Sequence, residues 1–287
     1  MTDRVWRDVV LERSWGGPRA LVERRESTRR DDGTDLLVRR VRRAASRDAQ
    51  LPVLVYLHGG GFRSGSAVSD ETTAAVSDRL DALDCEVVCV EYRHAPAHPF
   101  PAALDDVRSS VVDLLHRGDS MLLDPHRVVL DGYSAGANLA VATVLEAHTR
   151  TGLRVRGLIL EAPSLDLRPG APWDPAYEHL GQVLPRTAVA DYYLQGHDVH
   201  DPRVSPLASE SLGSLPRTHV VSARRDPLCP AGVALAERLE ELGVDVTATI
   251  HVLADHATPD QLPRRAVGRA WVADVTAAAA DLLHGRA

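Results

Sequence analysis

Lysine is absent from this 287-residue chain, so all 33 basic residues are arginine. Beside abundant alanine, that reads as coding bias rather than chemistry. Set against 40 acidic residues it leaves a net charge of −7, which argues against the basic surface of a nucleic-acid binder. Cysteine is scarce. Cys85, Cys89 and Cys229 make an odd count, so a disulfide scaffold is not expected. Cys85 and Cys89 share one apparent strand, where neither bridges readily to the other. They read as small buried hydrophobes in a reducing compartment. Apolar runs of spanning length are missing, and MTDRVWRDVVLERSW lacks the apolar core of a signal peptide. The expected location is therefore the cytoplasm, with no membrane span. Aromatic residues make up only 4% of the chain, whereas hydrophobic content is 44% and charge 25%, ordinary values for a globular domain with a sizeable core.

What is present is organised around Arg127 to Ala140, RVVLDGYSAGANLA. A β-branched run leads into Gly132-Tyr133-Ser134-Ala135-Gly136, and an alanine-rich helical segment follows. G-x-S-x-G is the pattern of a nucleophile elbow, a sharp strand-to-helix turn that pushes a serine hydroxyl out of a sheet. Small residues two positions either side of the serine avoid collision, and the hydroxyl lies at the positive end of the following helix. The pentapeptide alone also fits an ordinary turn, so its context decides.

Upstream, Leu51 to Leu57 (LPVLVYL) reads as a strand buried on both faces, ending in His58-Gly59-Gly60-Gly61-Phe62. Consecutive glycines cost backbone entropy. They read either as a flexible turn or as a loop whose N–H groups converge on a developing negative charge. His58, inside that loop, reads as a loop-shaping residue rather than a base. Residues 1 to about 34 are polar and Arg-rich; Val5, Trp6, Val9 and Val10 fall at helical spacing, which suggests a short amphipathic helix and part of a cap. Further strands are expected at Leu36 to Val41, Glu86 to Tyr92, Leu153 to Pro163, Thr218 to Ser222 and Val246 to Leu253. Helices are expected at Asp70 to Leu83 with Asp70 as N-cap, from 101 to 117, after the elbow to about Thr149, over Pro185 to Gln195, Pro230 to Leu242 and Pro263 to Leu283. Alternating strands and helices imply a mainly parallel sheet covered on both faces, in a single domain over 1–287. Residues 164–206, with more Pro and aromatic content, read as an insertion forming a second cap segment.

A serine becomes nucleophilic only when a base takes its proton and a third group fixes that base. After Ser134, Asp226 follows one strand and His256 the next, in the order Ser, Asp, His. In open parallel sheets both would lie outside the strands' carboxyl ends. Rivals stand beside them. Asp226 precedes a proline as turn residues do, His251 sits within the last strand, Asp255 adjoins His256, and Asp198 and Asp201 read as turn residues.

HGGGF at His58 to Phe62, EYRHAPAHPFPAALDD from Glu91, GYSAGANLA, DPRVSPL at Asp201 to Leu207 and RDPL at Arg225 to Leu228 together resemble the hormone-sensitive-lipase-like family of α/β-hydrolase esterases. The resemblance covers about Leu51 to His256. It implies an α/β-hydrolase fold, a mainly parallel eight-stranded sheet flanked by helices, with a small helical cap built from 1–34 and 164–206. It matches Ser134 to the nucleophile, Asp226 to the acid, His256 to the base, and Gly59, Gly60, Gly61 and Ala135 to the oxyanion hole. The implied protein is a serine carboxylesterase acting on a small-molecule ester, with no cofactor or metal, and family members often pair as homodimers through the sheet edge. Departures from the family pattern are Tyr133 where Asp is usual, Glu91 for Asp, Ala97 for an acidic residue, and Ala257 and Thr258 for Gly and an aromatic. Few aromatics in the cap suggest short or medium acyl chains. Two other functions share such a fold: an elimination, cyclisation or acyl transfer in specialised metabolism, and non-catalytic ligand binding.

Overall fold

In the computed structural model Leu51–Leu57 is buried at all seven positions, as an unbroken apolar strand requires. Residues 9–11, 20–29, 35–151, 154–261 and 266–285 are described. They form strands β1 (Val9–Leu11), β2 (Leu21–Arg29), β3 (Asp35–Arg43), β4 (Leu51–Leu57), β5 (Glu86–Val90), β6 (Leu123–Tyr133), β7 (Gly157–Glu161), β8 (Thr218–Arg225) and β9 (Val246–Asp255). The helices are α1 (Asp70–Ala82), α2 (Ala102–Arg117), α3 (Ala135–Thr151), α4 (Arg186–Leu194), α5 (Cys229–Glu241), α6 (Thr258–Gln261) and α7 (Ala266–His284). The sheet runs β1-β2-β3-β5-β4-β6-β7-β8-β9. Its first three pairings are antiparallel and the rest parallel. Eight strands match the expected sheet, and the three-residue β1 extends its edge.

Period-two alternation divides the sheet between two helical layers. Val53, Val55, Leu57, Val128, Leu130, Leu158 and Leu160 pack with Leu104 and Val107 of α2, Leu139 of α3 and Leu235 of α5. Leu54, Tyr56, Val87, Val129 and Ile159 face the other way, onto Val76 and Leu80 of α1 and Trp271 and Val275 of α7. Truncating such a residue to alanine costs about 2–5 kcal/mol, so this two-sided core fixes the frame that carries the loops.

Part of the N-terminal expectation is corrected. Leu21–Arg29 belongs to the sheet rather than to a cap, in register with β3 from Leu21↔Arg43 to Arg29↔Asp35. Its polar composition is matched across the strands: Arg39 reaches Glu23 at 2.9 Å and Arg40 reaches Glu26 at 2.7 Å, all four nearly buried. Arg40 and Arg42 both also pair with Glu86. Charges that suggest a solvated arm are instead neutralised by neighbours two strands deep. Val9 and Val10 lie in β1 instead of a helix, and Val5 and Trp6 lie outside the described residues. The cap of α1 also shifts by one position: Ser69 accepts from the Thr72 N–H at 3.2 Å, and Asp70 sits in the first turn. Among the described residues, no helix is long and apolar enough to cross a membrane.

Candidate active site

The long strand β6 drives straight into α3, and the turn between them is forced by steric exclusion. A Cβ on Gly132 would stand 2.5 Å from the Gly136 carbonyl oxygen, and one on Gly136 would stand 2.0 Å from that of Leu57. Neither position admits a larger residue without moving backbone. Between them Ser134 has a φ of +55°, a conformation that costs a non-glycine residue about 1–3 kcal/mol. The strain is held from both sides: the Ser134 N–H donates to the Glu161 carbonyl at 2.9 Å, and the Ser134 carbonyl accepts from Ser164 N–H at 3.2 Å.

The loops after β8 and β9 bring the two distant partners to this serine. His256 Nε2 lies 3.1 Å from Ser134 Oγ, and His256 Nδ1 lies 2.7 Å from Asp226 Oδ2. Asp226 is fully buried, and its other oxygen accepts the Leu228 N–H at 2.9 Å. With Nδ1 donating to the carboxylate, Nε2 presents its lone pair to the hydroxyl proton. Ser134, Asp226 and His256 thus meet in one chain of hydrogen bonds at the carboxyl ends of β6, β8 and β9.

Gly59, Gly60 and Gly61 lie beside the elbow. Close approach explains Gly59, where a Cβ would meet the Tyr133 ring at 2.8 Å, and a tight turn explains Gly60, whose φ is +118°. The N–H groups of Gly59, Gly60, Gly61 and Ala135 make no hydrogen bond to protein groups among the described residues. The Ser134 N–H is already committed to Glu161, so Ala135, first residue of α3, is the elbow's free donor. His58 shapes the loop as expected: its Nδ1 meets the Gly59 carbonyl at 2.7 Å and its ring stacks on Tyr92 at 4.2 Å. Burial pushes the His58 imidazole down to about 4, so it is neutral at pH 7.

Tyr133 has a defined task. Its hydroxyl donates to the His256 carbonyl, and its ring packs 5.5 Å from the imidazole. It braces the histidine loop from inside the elbow. Glu91 accepts from Ser66 Oγ at 2.8 Å and from Ala67 N–H at 2.7 Å, holding the segment after the glycines. Ala97 is exposed, while Ala257 and Thr258 are buried. Asp255 bonds to Thr258 rather than to His256, and Asp198 and Asp201 serve local turns through His200 and Arg203.

Other residues support the site through bonds the sequence does not announce. Tyr92 donates to the His58 carbonyl at 2.8 Å, and Tyr192 on α4 donates to the Gly61 carbonyl at 2.6 Å. Asn138 on α3 holds the carbonyls of Ser164 and Val204 at 2.8 and 2.9 Å, tying the segment after β7 to the elbow helix. Phe62 stacks on Tyr193 with ring centroids 3.9 Å apart, so α4 lies over the glycine loop. The rise in aromatic content within 164–206 is the signal that pointed to Tyr192 and Tyr193. Asn138 lies within the GYSAGANLA block but carries no spacing that announces its bonds.

A family model for the alpha/beta hydrolase fold matches residues 54–259. Esterase LipI of Mycobacterium tuberculosis is 30% identical over 208 residues, 69% of this chain and 62% of that protein. Carboxylesterase NlhH of Mycobacterium tuberculosis is 30% identical over 234 residues, 75% of this chain and 69% of that protein. The solved structure of esterase LipW from Mycobacterium marinum superposes with a TM-score of 0.79 at 27% identity, covering 93% of this chain and 82% of that one. The matched stretch spans less than two thirds of LipI, and the same holds for the arylesterase of Saccharolobus solfataricus, at 63% of its length.

Proposed function

Because the chain belongs to the α/β-hydrolase-fold family, in its hormone-sensitive-lipase-like carboxylesterase branch, we propose that it is a serine hydrolase cleaving carboxylic esters through an acyl-enzyme. The observation that carries this reading is the chain from Asp226 to His256 at 2.7 Å and from His256 to Ser134 at 3.1 Å. Ser134 Oγ attacks the ester carbonyl carbon as His256 Nε2 takes its proton, and Asp226 holds the imidazole in the required tautomer. The carbonyl oxygen, now negative, is received by the unpartnered N–H groups of the glycine loop and Ala135, aided by the positive end of α3. His256 then gives its proton to the departing alkoxide, leaving an acyl-serine. A water, deprotonated by the same imidazole, attacks that acyl group and releases the acid.

The segment 164–206 is read as the cap, supported by α4 lying against the glycine loop through Tyr192 and Tyr193. A small cap of this kind suits short or medium acyl chains. Residence in the cytoplasm is supported by three free, buried cysteines. Homodimer pairing through the open β9 edge is supported by exposed Val252 and Leu253 near its end.

The test is hydrolysis of p-nitrophenyl esters of increasing chain length by the wild type, Ser134→Ala and His256→Ala. The expected result is turnover of short esters that falls with chain length and is lost in both variants, with circular dichroism unchanged. Wild type that neither turns over any ester nor is labelled at Ser134 by an organophosphonate would overturn the reading in favour of ligand binding.

A further inference from the structure

Directly beneath the glycine loop lies a group of side chains that ester hydrolysis does not use. His58 directly follows β4, and Glu91 and His94 follow the neighbouring strand β5. One nitrogen of each imidazole and one oxygen of the Glu91 carboxylate lie within 4.8 Å of one another. The two imidazole rings meet edge to face, with centroids 5.8 Å apart. His58 is buried, with 4% of its surface exposed, while Glu91 and His94 are half-buried and give the group an outer side.

Two features separate this group from an ordinary polar cluster. Nε2 of His58 and Nε2 of His94 are both shut off from solvent, and neither has a hydrogen-bond partner among the described residues. A buried polar atom left unsatisfied is costly, and one such nitrogen on each of the two histidines of this group calls for a partner. The second feature is the tautomer of His58. Its Nδ1 lies 2.7 Å from the Gly59 carbonyl, which can only accept, so Nδ1 carries the proton and Nε2 the lone pair. A backbone carbonyl taking the other ring N–H is the arrangement that orients metal-ligating histidines. Glu91 is also fixed, because its Oε2 accepts from Ser66 Oγ and Ala67 N–H.

We propose that His58, Glu91 and His94 form a binding site for a divalent transition-metal cation of the zinc class. Two imidazole nitrogens and one carboxylate suit zinc, cobalt or nickel rather than magnesium or calcium, which require oxygen donors. In a tetrahedral site with bonds of about 2.1 Å, neighbouring ligand atoms stand about 3.4 Å apart, so binding draws the three inward from a spacing of up to 4.8 Å. Water supplies the fourth position on the outer side. The cation ties the end of β4 to the segment after β5, and through Glu91 to Ser66 and Ala67. It therefore clamps the glycine loop from below without touching Ser134, Asp226 or His256.

The experiment uses untagged full-length protein stripped with a chelator, titrated with Co²⁺ and followed by its visible d–d absorption, then back-titrated with Zn²⁺. The wild type is expected to take up one tightly bound Co²⁺ per chain that Zn²⁺ displaces, and Zn²⁺ is expected to raise its unfolding temperature. His94→Leu removes one ligand. Glu91→Gln keeps an oxygen for Ser66 and Ala67 but loses the charge. Each is expected to weaken binding by more than about 100-fold, beyond the loss typical of an outer-shell change. Absence of a saturable Co²⁺ spectrum in the wild type would overturn the proposal. So would tight binding of equal affinity in both variants, since it would place the cation elsewhere.

Discussion

Two serine- or threonine-histidine-aspartate chains run through this sheet with closely similar distances. At the carboxyl ends of the strands, Ser134 Oγ, His256 and Asp226 are linked at 3.1 and 2.7 Å. Lower in the sheet, Thr247 Oγ1 lies 2.7 Å from His219 Nδ1, and His219 Nε2 lies 3.2 Å from Asp274 on α7. Distance alone does not separate the two. Surroundings do. Ser134 stands at a strained φ of +55° at the start of α3, beside a row of backbone N–H groups unpartnered among the described residues. Thr247 sits in regular strand, in register with His219, where backbone groups serve the ladder. Asp226 serves one histidine, whereas Asp274 is shared by His219, by His251 at 3.0 Å and by Thr249 at 3.4 Å. The lower chain fastens α7 to β8 and β9. A hydroxyl, an imidazole and a carboxylate in line make a reactive site only where the fold also supplies a place for the oxyanion.

The sharpest way to break this comparison is to make the same change in both chains. Asp226→Asn is expected to lower kcat by about 10⁴-fold, because an amide holds the wrong tautomer of His256. Asp274→Asn is expected to leave kcat within about twofold, since it touches no reacting group. Equal losses, measured by steady-state ester hydrolysis, would erase the distinction. Gly60→Ala probes the oxyanion side: its Cβ would stand 2.0 Å from the Ser64 carbonyl oxygen, so the loop must move. A fall in kcat of about 10²–10³-fold is expected, the typical result of losing an oxyanion donor. Tyr133→Phe removes the bond to the His256 carbonyl and is expected to lower kcat about tenfold, equivalent to the roughly 1–1.5 kcal/mol of one buried hydrogen bond.

The smallest effect belongs to the lower chain. Burial alone would raise the Asp274 carboxyl, but the imidazoles of His219 and His251 against it outweigh that and hold the group well below the usual carboxylate range. A carboxyl depressed in the folded state stabilises above its unfolded value of about 4, and that contribution is lost as pH falls through the folded value. Asp274→Asn is therefore expected to cost about 1 kcal/mol at pH 7, read from urea unfolding, with the gap to wild type closing below about pH 4.

The upper chain was legible in the sequence and the lower one was not, for a physical reason. Ser134 lies in a motif whose glycines are imposed by steric contact, and Asp226 and His256 each follow a strand that ends at the same edge of the sheet. His251 lies within β9 and bonds to Asp274. Nothing in the spacing of His219, Thr247 and Asp274 reveals that register and helix packing bring them together. The same holds for His58, Glu91 and His94, which meet only because β4 and β5 are neighbours. Leu21–Arg29 misled in the other direction: its charges suggest solvent exposure, and only pairing with β3 shows that the buried Glu23 and Glu26 are answered by Arg39 and Arg40. Limits drawn from periodicity departed most at three strands: β6 begins at Leu123, β7 spans only Gly157–Glu161 within the expected Leu153 to Pro163, and β8 runs past Ser222 to Arg225.

The measurement that bears most directly on the central claim is mass spectrometry of the protein quenched seconds after mixing with a p-nitrophenyl ester. The account requires one acyl group per chain, located by peptide mapping on Ser134, appearing with the first release of p-nitrophenol and absent from Ser134→Ala. Turnover with no acyl adduct, or with the acyl group on another residue, would contradict it.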